Sequence, residues 1–164
     1  MRVFKPWFLT PTDRPARILK AVMQKGLKRR TFSELLFLFA CRTDPLIYDF
    51  TVREHWPAAR RGKIVLTVQD GLDFLTEARY DGRLENEWSE SVSKRISRCV
   101  LGILRDVGLL HGDGSRKEIV PGVVTDETVA IIARHLHETG VTDSFLAEHP
   151  DMLTQARLAD AFTA

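Results

Sequence analysis

Ser91, Lys94, Arg95 and Arg98 place one hydroxyl and three cations within the first two turns of a strongly periodic segment, and every one of them is a hydrogen-bond donor. These are the side chains that meet phosphate oxygens and base edges when the amino-terminal turns of a helix enter the major groove. Two more cations, Arg116 and Lys117, follow a glycine-rich turn further along. The clusters Lys28-Arg29-Arg30 and Arg60-Arg61, with Lys63 close behind, add charge suited to phosphate. The chemistry implied is binding of a polyanion, double-stranded DNA in the first place, with affinity that falls as salt rises.

Other chemistries find less support. Asp70, Asp73 and Glu77 recur at helical spacing like a carboxylate set for Mg²⁺, but no strand-borne acidic and lysine pattern accompanies them, so they read as a solvated face. Gly112-Asp113-Gly114 has neither the following Lys-Ser/Thr nor the following helix of a phosphate cradle. His135 and His137 are two apart on a helix and point in different directions, against a shared metal. Glu138, His137 and His149 form an acid and base only if an unspecified fold assembles them. Cys41 and Cys99 sit among apolar neighbours and read as buried, reduced thiols. The expectation is a protein without catalytic residues, cofactor or metal.

The donors need a scaffold, and the local pattern supplies one. Val92, Ile96, Cys99, Val100, Ile103, Leu104 and Val107 recur at spacings of three and four, which predicts a helix capped at Ser89 or Ser91 and stopped at Gly108. Leu109-Leu110 and Arg116 to Val120, around His111-Gly112-Asp113-Gly114-Ser115, predict a short hairpin with Arg116 and Lys117 near its tip. A long helix followed at once by a small hairpin is the arrangement of a winged helix. Thr67-Val68-Gln69-Asp70 starts the helix before it, ending near Tyr80, and Trp88 reads as a core anchor at the entrance of the long helix.

Upstream, Thr12-Asp13-Arg14-Pro15 opens a helix, Thr31-Phe32-Ser33-Glu34 fits a capping box for a second, and Asp44-Pro45 opens a third, disturbed at Trp56-Pro57. Ile64-Val65-Leu66 suits a short strand or an extended entry. Downstream, Thr125-Asp126-Glu127 begins a helix to Gly140, Thr142-Asp143 a short one to His149, and Pro150-Asp151 a last one. The fold class expected is mainly α, a helical bundle with a winged-helix-like unit. Its regions are a basic helical region 1–63, the winged-helix-like region 64–124 and acidic helices 125–164, packed as one compact unit.

The 164 residues are 44% hydrophobic and carry a formal net charge of +2, which fits a compact globular protein. The charge is unevenly spread: residues 1–63 hold 14 Lys/Arg against 5 Asp/Glu, and the remainder 10 against 17. The basic front either holds a polyanion or packs against the acidic back or an acidic partner. No apolar run approaches the roughly 20 residues of a membrane span, and no secretory signal is evident, so the expected location is the cytoplasm.

Three segments carry a family resemblance: Thr43-Asp44-Pro45-Leu46-Ile47-Tyr48-Asp49-Phe50, then Leu66 to Leu75 ending in Asp73-Phe74-Leu75, then Trp88-Ser89-Glu90-Ser91 through Leu104-Arg105-Asp106-Val107-Gly108-Leu109-Leu110. In order and character they resemble the BrxA family, small components of BREX bacteriophage-exclusion systems, over roughly residues 30–124. The resemblance implies a mostly helical, non-enzymatic DNA-binding protein acting beside other defence-system subunits that do the chemistry. The alternative is an adaptor whose winged helix docks another subunit instead of DNA.

Overall fold

The computed structural model describes residues 9, 12–85, 87–120 and 124–142. The fold is mainly α with one small antiparallel sheet, as expected. The chain divides into two compact units, residues 1–45 with 122–164 and residues 46–121. The boundary drawn at residue 63 therefore falls inside the second unit, and the carboxy-terminal residues share a unit with the amino-terminal ones.

In the first unit α1 spans Arg14–Gln24, with Pro15 in the first turn where its missing N–H costs nothing. Helix α2 spans Arg29–Thr43 and α7 spans Asp126–Glu138. Leu19 and Val22 of α1, Leu35, Leu38 and Phe39 of α2, and Ile132 and Leu136 of α7 form one apolar core. The N-cap of α2 is Lys28, three residues before the expected Thr31, with no side-chain cap. Thr31 is buried and donates to Glu127 at 2.8 Å. Glu34 accepts from the Thr125 N–H at 3.1 Å, the Thr125 hydroxyl at 2.8 Å and the Thr128 hydroxyl at 2.6 Å. The anticipated capping box thus closes the start of α7 instead of its own helix, because free N–H groups there need an acceptor and favour a negative charge. Thr125 caps α7 as anticipated, its hydroxyl accepting from the Thr128 N–H. The helices expected from residue 142 to 149 and from 150 onward lie outside the described residues.

From Leu46 onward the second unit contains the rest of α3 (Pro45–Phe50), a π-helical turn (Thr51–His55) and α4 (Trp56–Arg60) in one run. The disturbance at Trp56-Pro57 takes the form of that π turn, in which the Trp56 N–H reaches back to the Thr51 carbonyl. The wider turn lets Pro57, which has no N–H and crowds the preceding turn, enter the first turn of α4 without ending the run.

Strand β1 (Val65–Thr67) leads into α5 (Val68–Tyr80). Thr67 accepts from the Asp70 N–H while the Asp70 carboxylate accepts from the Thr67 N–H, a complete capping box. Helix α6 (Glu90–Asp106) is capped by Ser89 and followed by Gly108 at φ 84°. Strands β2 (Leu110–His111) and β3 (Arg116–Ile119) form the hairpin, and β1 pairs antiparallel on the other side of β3, giving the order β1-β3-β2. The register sets Leu66 opposite Lys117 and Thr67 opposite Arg116. Phe50 and Phe74 pack edge to face at 5.1 Å, and Leu66, Leu101, Leu104 and Leu110 are fully buried. At Gly71, α5 approaches α6 so closely that a Cβ would lie 2.7 Å from the Ser97 Cβ.

Candidate nucleic-acid interface

Helix α6 is amphipathic: Val100, Leu101 and Leu104 are buried, whereas Ser91, Lys94, Arg95 and Arg98 are exposed. The Ser91 hydroxyl lies 3.0 Å from that of Ser89, and Lys94 stands 3.9 Å from Glu90. Neither Arg95 nor Arg98 enters an ion pair among the described residues, so both guanidinium groups are available to an outside anion. The arc continues through Gly102 to Arg105, seven residues beyond Arg98. Arg105 donates to Asp106 and, at 3.0 Å, to Asp113 in the hairpin turn. Arg105 is not among the donors singled out from sequence, although its seven-residue step from Arg98 is a signal that places it on the same face.

The hairpin departs from expectation at Lys117. Arg116 is exposed on β3 and unpaired among the described residues, but Lys117 is only 5% exposed. Successive strand residues point to opposite faces, so two adjacent cations cannot both stand outward. Lys117 points inward, and its Nζ donates to the Gly112 carbonyl at 3.2 Å. There it lines a groove with Arg98, Gly102, Arg105 and Ser115.

Arg60 and Arg61 are exposed beside Lys63, whose ammonium pairs with Asp70 at 2.5 Å. Burial raises the Asp70 carboxyl, but hydrogen bonds from Lys63 and Thr67 outweigh it and hold the group below its ordinary range. Asp73 accepts from Gln69 at 2.8 Å. Asp70 and Asp73 of α5 are thus engaged in capping and surface contacts, and no three His, Cys, Asp or Glu side chains gather as a metal set among the described residues.

Lys28, Arg29 and Arg30 belong to the first unit. Lys28 stands 3.9 Å from Glu127 and Arg30 donates to Glu34 at 3.0 Å, while Arg29 is exposed. Glu138 pairs with Arg14 at 2.7 Å and Arg134 at 2.9 Å, and His149 lies outside the described residues. Trp88 is half-buried and shares a groove with Leu72, Leu75 and Leu84 at the entrance of α6, in keeping with an anchoring role. Cys41 is buried, and burial pushes its thiol far above the ordinary range. Cys99, expected to be buried, is exposed, because it falls at the edge of the apolar stripe of α6.

No helix among the described residues is long and apolar enough to cross a membrane. Neither the curated proteins nor the solved structures yield a match to the chain. The BrxA family profile, in contrast, matches residues 17–136, which takes in every helix from within α1 to within α7. The chain therefore belongs to the BrxA family, a membership that points to a component of a BREX anti-phage system.

Proposed function

We propose that this chain is a non-enzymatic accessory protein that binds double-stranded DNA in the cytoplasm as part of a BREX system. The element order of the second unit, a helical run, a strand, two helices and two strands with sheet order β1-β3-β2, supports reading it as a winged helix with α6 in the recognition position. The observation that carries the reading is the pair of exposed guanidinium groups, Arg95 and Arg98, on the outward arc of that helix. Arg116 on the wing supplies a third contact of the same kind.

A gel-shift salt series on the full chain tests it. Replacing Lys94 and Arg98 by Ala should weaken duplex binding and lower the slope of log K against log salt by about 0.9 for each phosphate left without its cation. Unchanged affinity and slope would remove this face from the interface. Ile64, 77% exposed, and Tyr80, 93% exposed, favour a second reading in which the same unit docks a protein subunit. On that reading the wild-type chain shifts no duplex at any salt concentration.

A further inference from the structure

We propose that the groove between α6 and the hairpin turn is a phosphate seat, formed by Arg98, Arg105, Lys117 and the Ser115 hydroxyl. The groove has a volume of about 460 Å³. Its lining includes Lys117, a residue only 5% exposed as a whole, whose ammonium has no carboxylate partner among the described residues. One carbonyl, that of Gly112, accepts from it, and an ammonium has three N–H donors. A buried charge without a counter-ion is costly, and an apolar side chain opposite Leu66 would be the economical choice for the sheet. An anion in the groove supplies the missing compensation.

Two neighbours fit the same purpose. Gly102 sits in mid-helix, where glycine is about 1 kcal/mol worse than alanine. Packing does not require it, since a Cβ there would meet nothing within 4 Å. Its absence of a side chain leaves the groove wall open between Arg98 and Arg105. Asp113, 95% exposed at its side chain, accepts from Arg105 Nη1 at 3.0 Å, while Asp106 accepts from Nε and Nη2 and fixes the guanidinium. The Asp113 carboxylate occupies the place of an external anion and, being at the tip of an exposed turn, can yield it.

The seat deepens the duplex reading and rests on it for the source of the phosphate: a backbone phosphodiester flanking the recognition helix. Inorganic phosphate carries the same chemistry and serves as the probe. In the full ¹⁵N-labelled chain, titration with inorganic phosphate against sodium chloride at matched ionic strength should move the amides of Gly102, Gly114 and Ser115 saturably. Lys117→Met and Arg105→Gln should each reduce that response at least several-fold, and Asp113→Asn should strengthen it. Arg105→Gln changes an exposed side chain and keeps the test valid if Lys117→Met fails to fold. Absence of a saturable response, or the same response in Arg105→Gln as in wild type, overturns the proposal.

A duplex arm separates the two readings. With phosphate as the ligand of the groove and the duplex as its source, Arg105→Gln weakens the gel shift as well. If phosphate titrates the groove but no duplex binds, the seat stands as a site for free phosphate and the duplex reading fails. If the duplex binds in the manner sensitive to Lys94 and Arg98 but phosphate leaves the groove amides unmoved, the seat fails and the duplex reading stands.

Discussion

His55 shows how one buried side chain couples this protein to pH. It is fully buried, its Nε2 lies 3.3 Å from the Leu109 carbonyl, and its Nδ1 has no partner among the described residues. Because a carbonyl can only accept, Nε2 carries a proton toward Leu109. Burial pushes its pKa down from 6.5 to about 4, against the opposing pull of the Leu109 carbonyl. Between those values the unfolded chain binds a proton that the folded chain refuses, so stability is fully present above 6.5 and is lost as pH falls toward about 4. The loss attributable to this group is on the order of 3 kcal/mol at a conversion of 1.36 kcal/mol per unit. Urea unfolding across that window should show a clear excess pH dependence over His55→Gln. Parallel losses in the two proteins would assign the acid sensitivity elsewhere. Such residues were hard to read from sequence: His55, the inward turn of Lys117 and the exposure of Cys99 all depend on which neighbours arrive from distant segments. The exposed donors of α6, by contrast, follow from periodicity within a single helix.

The packing of α5 on α6 determines where the donor-bearing face of α6 is held, and it turns on Gly71. An alanine there would set its Cβ 2.7 Å from the Cβ and 3.3 Å from the Cα of Ser97, atoms that no rotamer change can move. Gly71→Ala should therefore force the helices apart, destabilise the chain by about 1–3 kcal/mol, and weaken duplex binding by displacing α6. Adding Ser97→Gly removes the nearest obstacle and should restore most of the urea midpoint. A single variant with an unchanged midpoint would mean that the two helices separate without cost. At this scale the caps were legible wherever their partners are local, as at Ser89, Thr67, Thr125 and Gly108. Thr31 and Glu34 had the right spacing for a cap of their own, yet α7 competes for the carboxylate, and only the tertiary arrangement decides that contest. The segment of β1 suits a strand or an extended entry equally in sequence for the same reason: its three residues become a strand by pairing with β3, some fifty positions away.

Across the whole molecule, the polarity between a basic front and an acidic back is largely cancelled by the way the chain divides. Residues 46–121 contain twelve Lys/Arg and twelve Asp/Glu, and the other unit contains twelve and ten. In that other unit the two ends meet directly, with Arg14 on Glu138 and Lys28 near Glu127. Neither unit has a large net charge to draw in a polyanion, so affinity must come from where unpaired cations stand. Arg95 and Arg98 are unpaired among the described residues, whereas Lys28 and Arg30 already face carboxylates. A released counterion contributes to the salt slope only where a cation newly neutralises a phosphate, at about 0.9 per phosphate. Arg95→Ala with Arg98→Ala should therefore lower the slope by nearly two. Replacing Lys28, Arg29 and Arg30 together should lower it by no more than about one, chiefly through Arg29. Equal reductions in the two sets, measured on the same duplex, would show that the basic cluster of the first unit exchanges its carboxylates for phosphates and shares the binding.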